Sequence, residues 1–261
     1  MTFATSPPDI EHSDPLQCGY VHVKGRGFQA VAQEWTVSAV GTALSAGTLH
    51  EWAALQDSKE EMRGRGVIYS VVLPTNPPMS VVVRRNRHGG LFGALTGEYF
   101  LTPTRAPLEL QISLRLAAAG IPTPEVIAYA VYPVGGIFAR SDVVTRRLPP
   151  GGDLPEVWRH ASDADREVLL SAVASLLHSL AAAGAWHADL NLKNLYIAGN
   201  GSALTVYLLD VDRVTFPGDG DVYARNLQRL IRSARKWKVR WGLDFDEESI
   251  ERLARLAEEK K

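Results

Sequence analysis

Three polar residues in the second half of the chain have the types and spacing that phosphoryl transfer from ATP requires. Asp189 lies in His187-Ala188-Asp189-Leu190-Asn191-Leu192-Lys193-Asn194, and Asp210 follows in Leu209-Asp210-Val211-Asp212-Arg213. A carboxylate at 189 can accept the proton of an acceptor hydroxyl. The amide of Asn194 and the carboxylate of Asp210 offer the hard oxygen donors that Mg²⁺ takes. A single Asp is commonly an ordinary turn residue. The ordered set H-x-D-x-x-x-x-N, followed by an Asp at the end of a strand, argues for chemistry instead.

These residues need a scaffold that brings Asn194 and Asp210 together, and the intervening sequence supplies one. Residues 195–198 (Leu-Tyr-Ile-Ala) have strand character, and 204–209 is a second apolar run of strand length. Between them Gly199-Asn200-Gly201 is turn chemistry, because Gly and Asn tolerate positive φ. The resulting hairpin returns Asp210 beside Asn194. Upstream, the spacing predicts an amphipathic helix over 163–183, with Val168, Leu169, Val173, Leu176, Leu177 and Leu180 as its core face and Gly184 ending it. His178 on that helix reads as a packing or capping residue rather than a catalytic one.

The first half is strand-rich and broken by glycine. Residues 62–73 read as a glycine turn followed by a strand, 74–78 as a turn, and 79–84 as a Val-rich strand. Gly64 and Gly66 can let backbone amides approach phosphates, although an ordinary hairpin explains G-x-G equally well. Arg84 ends the Val-rich strand, where its guanidinium can bind phosphate or simply be a surface cation. A helix is expected over 104–119, with Thr104 as N-cap and Leu108, Ile112, Arg115, Leu116 and Ala119 near one face. Glu109 is its best carboxylate to pair with Arg84. Strands are expected over 126–132 and 136–148, and an adenine would rest against backbone groups of residues 145–148. Pro149-Pro150-Gly151-Gly152 reads as a linker between lobes.

Bulk properties narrow the class. The chain has 261 residues, 46% hydrophobic and 22% charged, with a formal net charge of -1, which suits a globular protein with a sizeable core and disfavours a polyanion binder. Cys18 is the only cysteine, so no intrachain disulfide forms and a reducing, cytoplasmic setting is expected. No apolar run approaches the ~20 residues that span a bilayer, and the first fifteen residues lack a signal-peptide pattern. Their Pro, Ser and Asp content predicts disorder over 1–19. One basic segment stands out: Arg225, Arg229, Arg232 and Lys236 recur at helical spacing, with Leu227, Leu230, Ile231, Ala234, Trp237 and Trp241 toward the other side. This helix faces either anionic headgroups or a phosphorylated lipid ligand, or it is a solvated basic face on a core-packed element.

Taken together, these motifs resemble the 3-deoxy-D-manno-octulosonic acid (Kdo) kinases, within the lipopolysaccharide kinase group of the protein-kinase-like superfamily. The matching pieces are Gly64-Arg-Gly66, Arg84 through Arg87-His88-Gly89-Gly90-Leu91, the helix around Glu109, Ala119-Gly-Ile-Pro-Thr-Pro124, and Asp142-Val-Val-Thr-Arg-Arg147. They continue with Trp186-His-Ala-Asp-Leu-Asn191, Tyr207-Leu-Leu-Asp-Val-Asp-Arg213 and Arg225-Asn-Leu-Gln-Arg-Leu230, covering about residues 60 to 240. The resemblance implies an α+β bilobal fold, with an antiparallel-sheet N-lobe carrying one main helix (20–148) and a compact, mostly helical C-lobe (149–261). It implies Mg²⁺-ATP-dependent phosphorylation of a Kdo hydroxyl, O-4, on a Kdo-lipid A precursor at the cytoplasmic face of the inner membrane. No nucleic acid partner is expected, because no recognised binding motif accompanies the basic charge. In that scheme Asp189 is the catalytic base, Asn194 and Asp210 hold metal, and Gly64, Gly66, Arg84 and Glu109 serve the nucleotide. Lys193 is a candidate contact for the phosphoryl group, and Asp212 and Arg213 a local ion pair. Ala188 stands where many protein kinases have Arg, no A-P-E motif follows Asp210, and only about fifty residues remain after it. All three favour a small or glycolipid acceptor. The alternatives are a kinase of this fold acting on another sugar or a protein, and a nucleotide-binding scaffold without turnover.

Overall fold

The computed structural model describes residues 14–63, 66–86, 100–102 and 104–258. Gly64 and the 87–91 run therefore lie outside the described residues. The described chain divides into two compact units, one within 14–114 and 124–147, the other within 115–123 and 148–258.

The first unit is an antiparallel sheet with helices on both faces. Its elements are β1 (Tyr20–Gly25), β2 (Phe28–Gln33), α1 (Val37–Ser45), α2 (Leu49–Ala54), β3 (Glu60–Arg63), β4 (Val67–Leu73), β5 (Met79–Arg85), β6 (Phe100–Leu101), α3 (Arg105–Ala118), β7 (Val126–Pro133) and β8 (Phe138–Arg146). The strand order is β1-β2-β7-β8-β5-β4-β3, with β6 pairing β8. The period-2 pleat sorts side chains between two cores. Val81 and Val83 of β5, Val144 of β8, and Val71 and Leu73 of β4 pack with Val40, Leu44 and Trp52 of α1 and α2. Val143, one residue from Val144, packs with Ala106 and Leu110 of α3 and with Tyr20 and Val31.

Several expectations change here. The sheet carries α1 and α2 in addition to the one helix expected. Both are short and α1 contains Gly41, so intrinsic propensity is weak and packing stabilises them. Thr48 and Glu51 form a reciprocal capping box at the start of α2. On α3 the buried stripe is Ala106, Leu110, Ile112 and Leu116, whereas Leu108 is 48% exposed and Ala119 lies on the surface. Thr104 does not act as a cap, since its buried hydroxyl has no hydrogen-bond partner among the described residues. Disorder to residue 19 does not hold for its last part: Asp14 caps a 3₁₀ turn over Pro15–Cys18.

The second unit contains β9 (Gly151–Asp153), α4 (Leu154–His160), α5 (Asp163–Ala182), β10 (Trp186–His187), β11 (Leu195–Ala198), β12 (Thr205–Leu208), β13 (Val214–Thr215), α6 (Val222–Trp241) and α7 (Glu247–Glu258). The stretch expected as a linker is partly a strand: Gly151 and Gly152 pair with Ala198 and Ile197 of β11. A Cβ at Gly151 would collide with the carbonyl oxygen of Ile197, so glycine is what allows the pairing. Ser162 caps α5, whose Leu169, Leu170, Val173, Leu176, Leu177 and Leu180 are buried, while Val168, expected in the core, is exposed. Helix α5 packs against α6 and α7. Trp158 of α4 is fully buried, its ring 4.4 Å from that of Phe245, and its indole N–H donates to the carbonyl of Asp244.

Truncating Trp158 removes a large buried ring and leaves the Asp244 carbonyl without its donor. Trp158→Ala should destabilise the protein by ~3–5 kcal/mol in denaturant unfolding, and a loss under ~1 kcal/mol would contradict the packing described.

Candidate active site

The hairpin of β11 and β12 pairs Leu195 with Leu208 and Ala198 with Thr205. The pairing continues one step further, because the Leu209 amide donates to the Asn194 carbonyl at 2.8 Å. That bond sets Asp210 next to Asn194. Asp210 itself adopts a left-handed conformation, φ 53° and ψ 45°, uncommon for a residue other than glycine and of the kind functional loops retain. Its exposed carboxylate makes no hydrogen bond or ion pair among the described residues. Asn194 is buried and donates its amide to the Asp189 carbonyl at 2.8 Å, which turns its amide oxygen free of that bond. An amide oxygen and an unpartnered carboxylate side by side are the donor types that Mg²⁺ shares with nucleotide phosphates. Among the described residues no group of three or more His, Cys, Asp and Glu gathers as an all-protein metal cage.

The loop carrying Asp189 is held by hydrogen bonds from three directions. His187 is completely buried; its Nδ1 accepts from the Asp189 amide at 3.1 Å and its Nε2 donates to the Leu209 carbonyl at 3.1 Å. This pattern requires the neutral imidazole. Burial, the largest influence, holds its pKa below the usual histidine value, although the Leu209 bond and nearby Asp210 oppose that. Behind it Asn226 of α6, also fully buried, accepts from the His187 amide at 3.0 Å and donates to the Ala185 carbonyl at 2.9 Å. Ser233, two turns on, accepts from the Leu192 amide at 3.1 Å. Asn191 bonds the Asp189 carbonyl as well.

Asp189 is about half exposed, and Arg229 of α6 reaches its Oδ1 at 3.4 Å. Arg225 lies over the Trp186 ring at 3.8 Å. The four cations expected along one outward stripe of this helix are thus divided, with Arg225 and Arg229 turned onto the unit and only Arg232 and Lys236 exposed. Asn226, Arg229 and Ser233 were not expected to serve the catalytic loop. Their positions at i, i+3 and i+7 place them on one helix face, and that periodicity is the signal that could have found them. Lys193 pairs with Asp153 at 3.6 Å, and Asp212 meets Arg213 at 3.8 Å. His178 stacks on Tyr223 with centroids 5.1 Å apart, a packing contact.

In the first unit Arg84 and Glu109 form the expected pair, with Arg84 also bonding Asn86 at 3.1 Å. Gly66 immediately precedes Val67, whose pairing with Arg63 closes the β3–β4 register. In the stretch where an adenine is expected to rest, the backbone amides of Arg146 and Arg147 donate to the carbonyls of Glu125 and Ser80.

The antiparallel sheet with a charge-paired helix, joined in one chain to a helical unit carrying this loop and hairpin, defines a protein-kinase-like fold. A solved structure of WaaP in complex with acyl carrier protein superposes with a TM-score of 0.52 at 19% identity, covering 80% of each chain. A model of the lipopolysaccharide kinase (Kdo/WaaP) family matches residues 50–255, and the chain belongs to that family; it is a phosphotransferase. Among its relatives, the 3-deoxy-D-manno-octulosonic acid kinase of Vibrio parahaemolyticus is 29% identical over 189 residues, 71% of this chain and 76% of its own length. The enzyme of that name from Vibrio vulnificus is 28% identical over 209 residues, 77% and 84% of the two chains.

The buried His187 yields a pH expectation. Its folded pKa is depressed below that of the unfolded chain, so its contribution to stability is complete above the ordinary histidine range and disappears as pH falls through the depressed value. The melting temperature should fall on acidification from pH 7.5 to 5.5, and His187→Gln should flatten that dependence. An identical pH slope in the variant would remove His187 from the account.

Proposed function

We propose that this kinase transfers the γ-phosphoryl group of Mg²⁺-ATP to O-4 of a Kdo residue on a Kdo-lipid A precursor. The observation that carries the reading is the Leu209–Asn194 hydrogen bond, which gathers Asn194 and Asp210 at the end of the loop bearing Asp189. Membership of the lipopolysaccharide kinase family, and relatives named as Kdo kinases, support the acceptor. Residues 20–148 form the nucleotide-binding lobe in this reading and 149–261 the catalytic lobe. A lipid-linked acceptor brings the protein to the cytoplasmic face of the inner membrane as a peripheral protein. Among the described residues no helix is long and apolar enough to cross a membrane.

Asp189 aligns the acceptor hydroxyl and takes its proton as the oxygen–phosphorus bond forms. Arg84, held by Glu109, orients the nucleotide phosphates, and Gly64 and Gly66 are proposed as further nucleotide contacts. Asn194 and Asp210 are the residues that would hold the cation, which would supply charge neutralisation at the phosphates. Asp212 and Arg213, paired with one another, steady the turn that presents Asp210. Catalysis then rests chiefly on positioning, as a loose phosphoryl-transfer transition state requires.

Incubating the protein with ATP, Mg²⁺ and Kdo-lipid IVA should give a product heavier by one phosphoryl group at the Kdo 4-position, read by mass spectrometry; an unmodified acceptor would refute the proposed reaction. Asp189→Asn should lower kcat by about 10²–10⁴-fold while nucleotide affinity survives. In Asp210→Ala the Mg²⁺ dependence of nucleotide binding should be weakened, as followed by titration at several metal concentrations. Unchanged metal dependence would place the cation elsewhere.

A further inference from the structure

Beside Asp189 the second unit carries a cleft of about 440 Å³. One wall is the loop from Asp189 to Lys193, and the other is the face of α6 bearing Arg229, Arg232, Ser233, Lys236, Trp237 and Trp241. This volume lies within the ~300–1,000 Å³ of small-molecule sites, and its concavity suits a molecule that enters better than a flat surface. The lining is strongly basic, with four cations against the single carboxylate of Asp189.

The pairing of those cations is uneven. Arg229 is engaged with Asp189, and Lys193 with Asp153. On another face of the same helix, Arg235 is held by both oxygens of Glu247. Within the cleft, Arg232 bonds only the backbone carbonyl of Gln228, and neither Arg232 nor Lys236 has a carboxylate partner among the described residues. The Nε of Arg229 is buried and has no hydrogen-bond partner among the described residues. In Arg232 and Lys236 the cleft thus holds positive charge that the described residues do not neutralise.

Aromatic surface accompanies the charge. Trp237 and Trp241, one turn apart, hold their rings 4.2 Å from centroid to centroid, and Trp241 remains 45% exposed. Arg240 lies over the Trp241 ring at 5.0 Å and Lys193 over the Trp237 ring at 5.8 Å, yet Trp241 keeps apolar surface in water beside Arg232 and Lys236, which suits a ligand with one apolar face and one anionic edge. A pyranose ring bearing a carboxylate or phosphate has both.

We propose that this cleft is the acceptor subsite, in which Arg232 and Lys236 bind the anionic group of an acidic sugar and Trp237 and Trp241 pack against its ring. The assignment rests on the phosphoryl-transfer reading and extends it, because the acid then anchors a sugar whose free hydroxyl meets Asp189. Arg229, between the anion and the base, is a positioning residue for both. The chemistry of the wall also accounts for the division of the basic helix: its inward cations serve the loop, and the next turns serve the ligand.

Arg232→Ala and Lys236→Ala, singly and together, test this, since both side chains are exposed and their loss should leave the fold intact by circular dichroism. With Kdo-lipid IVA as acceptor, each single change should raise its KM about tenfold, the scale of one lost charge-assisted hydrogen bond. The double variant should show a larger rise, with kcat within about threefold and nucleotide affinity unchanged. Raising salt should raise the wild-type KM and affect the double variant less. An unchanged acceptor KM in the double variant would overturn the subsite and leave the phosphotransfer reading standing. Should the wild type leave Kdo-lipid IVA unmodified, that reading fails, and direct titration still decides the cleft. Free 3-deoxy-D-manno-octulosonic acid should then bind the wild type, bind the double variant at least tenfold more weakly, and lose most of its affinity when esterified. Failure of the acid to bind the wild type would overturn the proposal. So would variants that lose binding to phosphatidylglycerol vesicles but keep the acceptor KM, which would assign the cations to a membrane surface.

Discussion

One neutral imidazole ties the catalytic loop to the hairpin's end. His187 accepts from the Asp189 amide with one nitrogen and donates to the Leu209 carbonyl with the other, so two segments far apart in sequence share a single rigid ring. A proton on Nδ1 would turn that acceptor into a donor facing an N–H group, and the burial that disfavours the charged ring protects the geometry. The Leu209 amide then bonds Asn194, and the turn at Asp210 follows. Asn226 closes the arrangement from behind by occupying backbone groups at Ala185 and His187 that would otherwise be buried without partners.

The first unit fastens its helices to the sheet with ion pairs, whereas the His187–Asn226 support of the catalytic loop is uncharged. Arg84 and Arg85 are neighbours on β5, and the pleat sends them to opposite faces of the sheet. Arg84 meets Glu109 on α3. Arg85 meets fully buried Asp142 of β8 at 3.3 Å and the hydroxyl of Thr48 at 3.1 Å, while Asp142 also accepts the His50 amide at 2.9 Å. Burial raises the Asp142 pKa, and the His50 amide and Arg85 pull the other way. Removing one partner of such a pair leaves a buried charge uncompensated, so α2 and α3 are each registered on the sheet by electrostatics as well as by packing.

Helix α6 joins support and recognition in one element. Asn226, Arg229, Ser233 and Trp237 follow one another by three or four residues and so form one stripe, which clamps the loop at its N-terminal end and walls the cleft further along. The helix begins at the Asp221 cap and ends where Gly242 turns left-handed at φ 60°. A basic amphipathic helix and a site-building helix look alike in sequence, because both show cations at helical spacing.

Much of the fold was legible because local signals agreed with one another. The Gly-Asn-Gly turn between two apolar runs specified the β11–β12 hairpin, and the proximity of Asn194 to Asp210 follows from it. Strands β4, β5, β7 and β8, helix α5 and the Arg84–Glu109 pair were readable from β-branched runs, 3.6-residue periodicity and charge. Tertiary structure decided the rest. Helices α1 and α2 lack the length or propensity to announce themselves and form because the sheet offers them an apolar face. Gly151 and Gly152 look like a linker until β11 supplies a strand partner, which at Gly151 only glycine can approach. Which face of α3 is buried, and whether Leu108 or Leu110 lies inside, depends on how the helix rests on Tyr20 and Val143. The direction each α6 cation takes depends likewise on Trp186, Asp189 and Glu247, residues distant in sequence whose placement no local periodicity encodes.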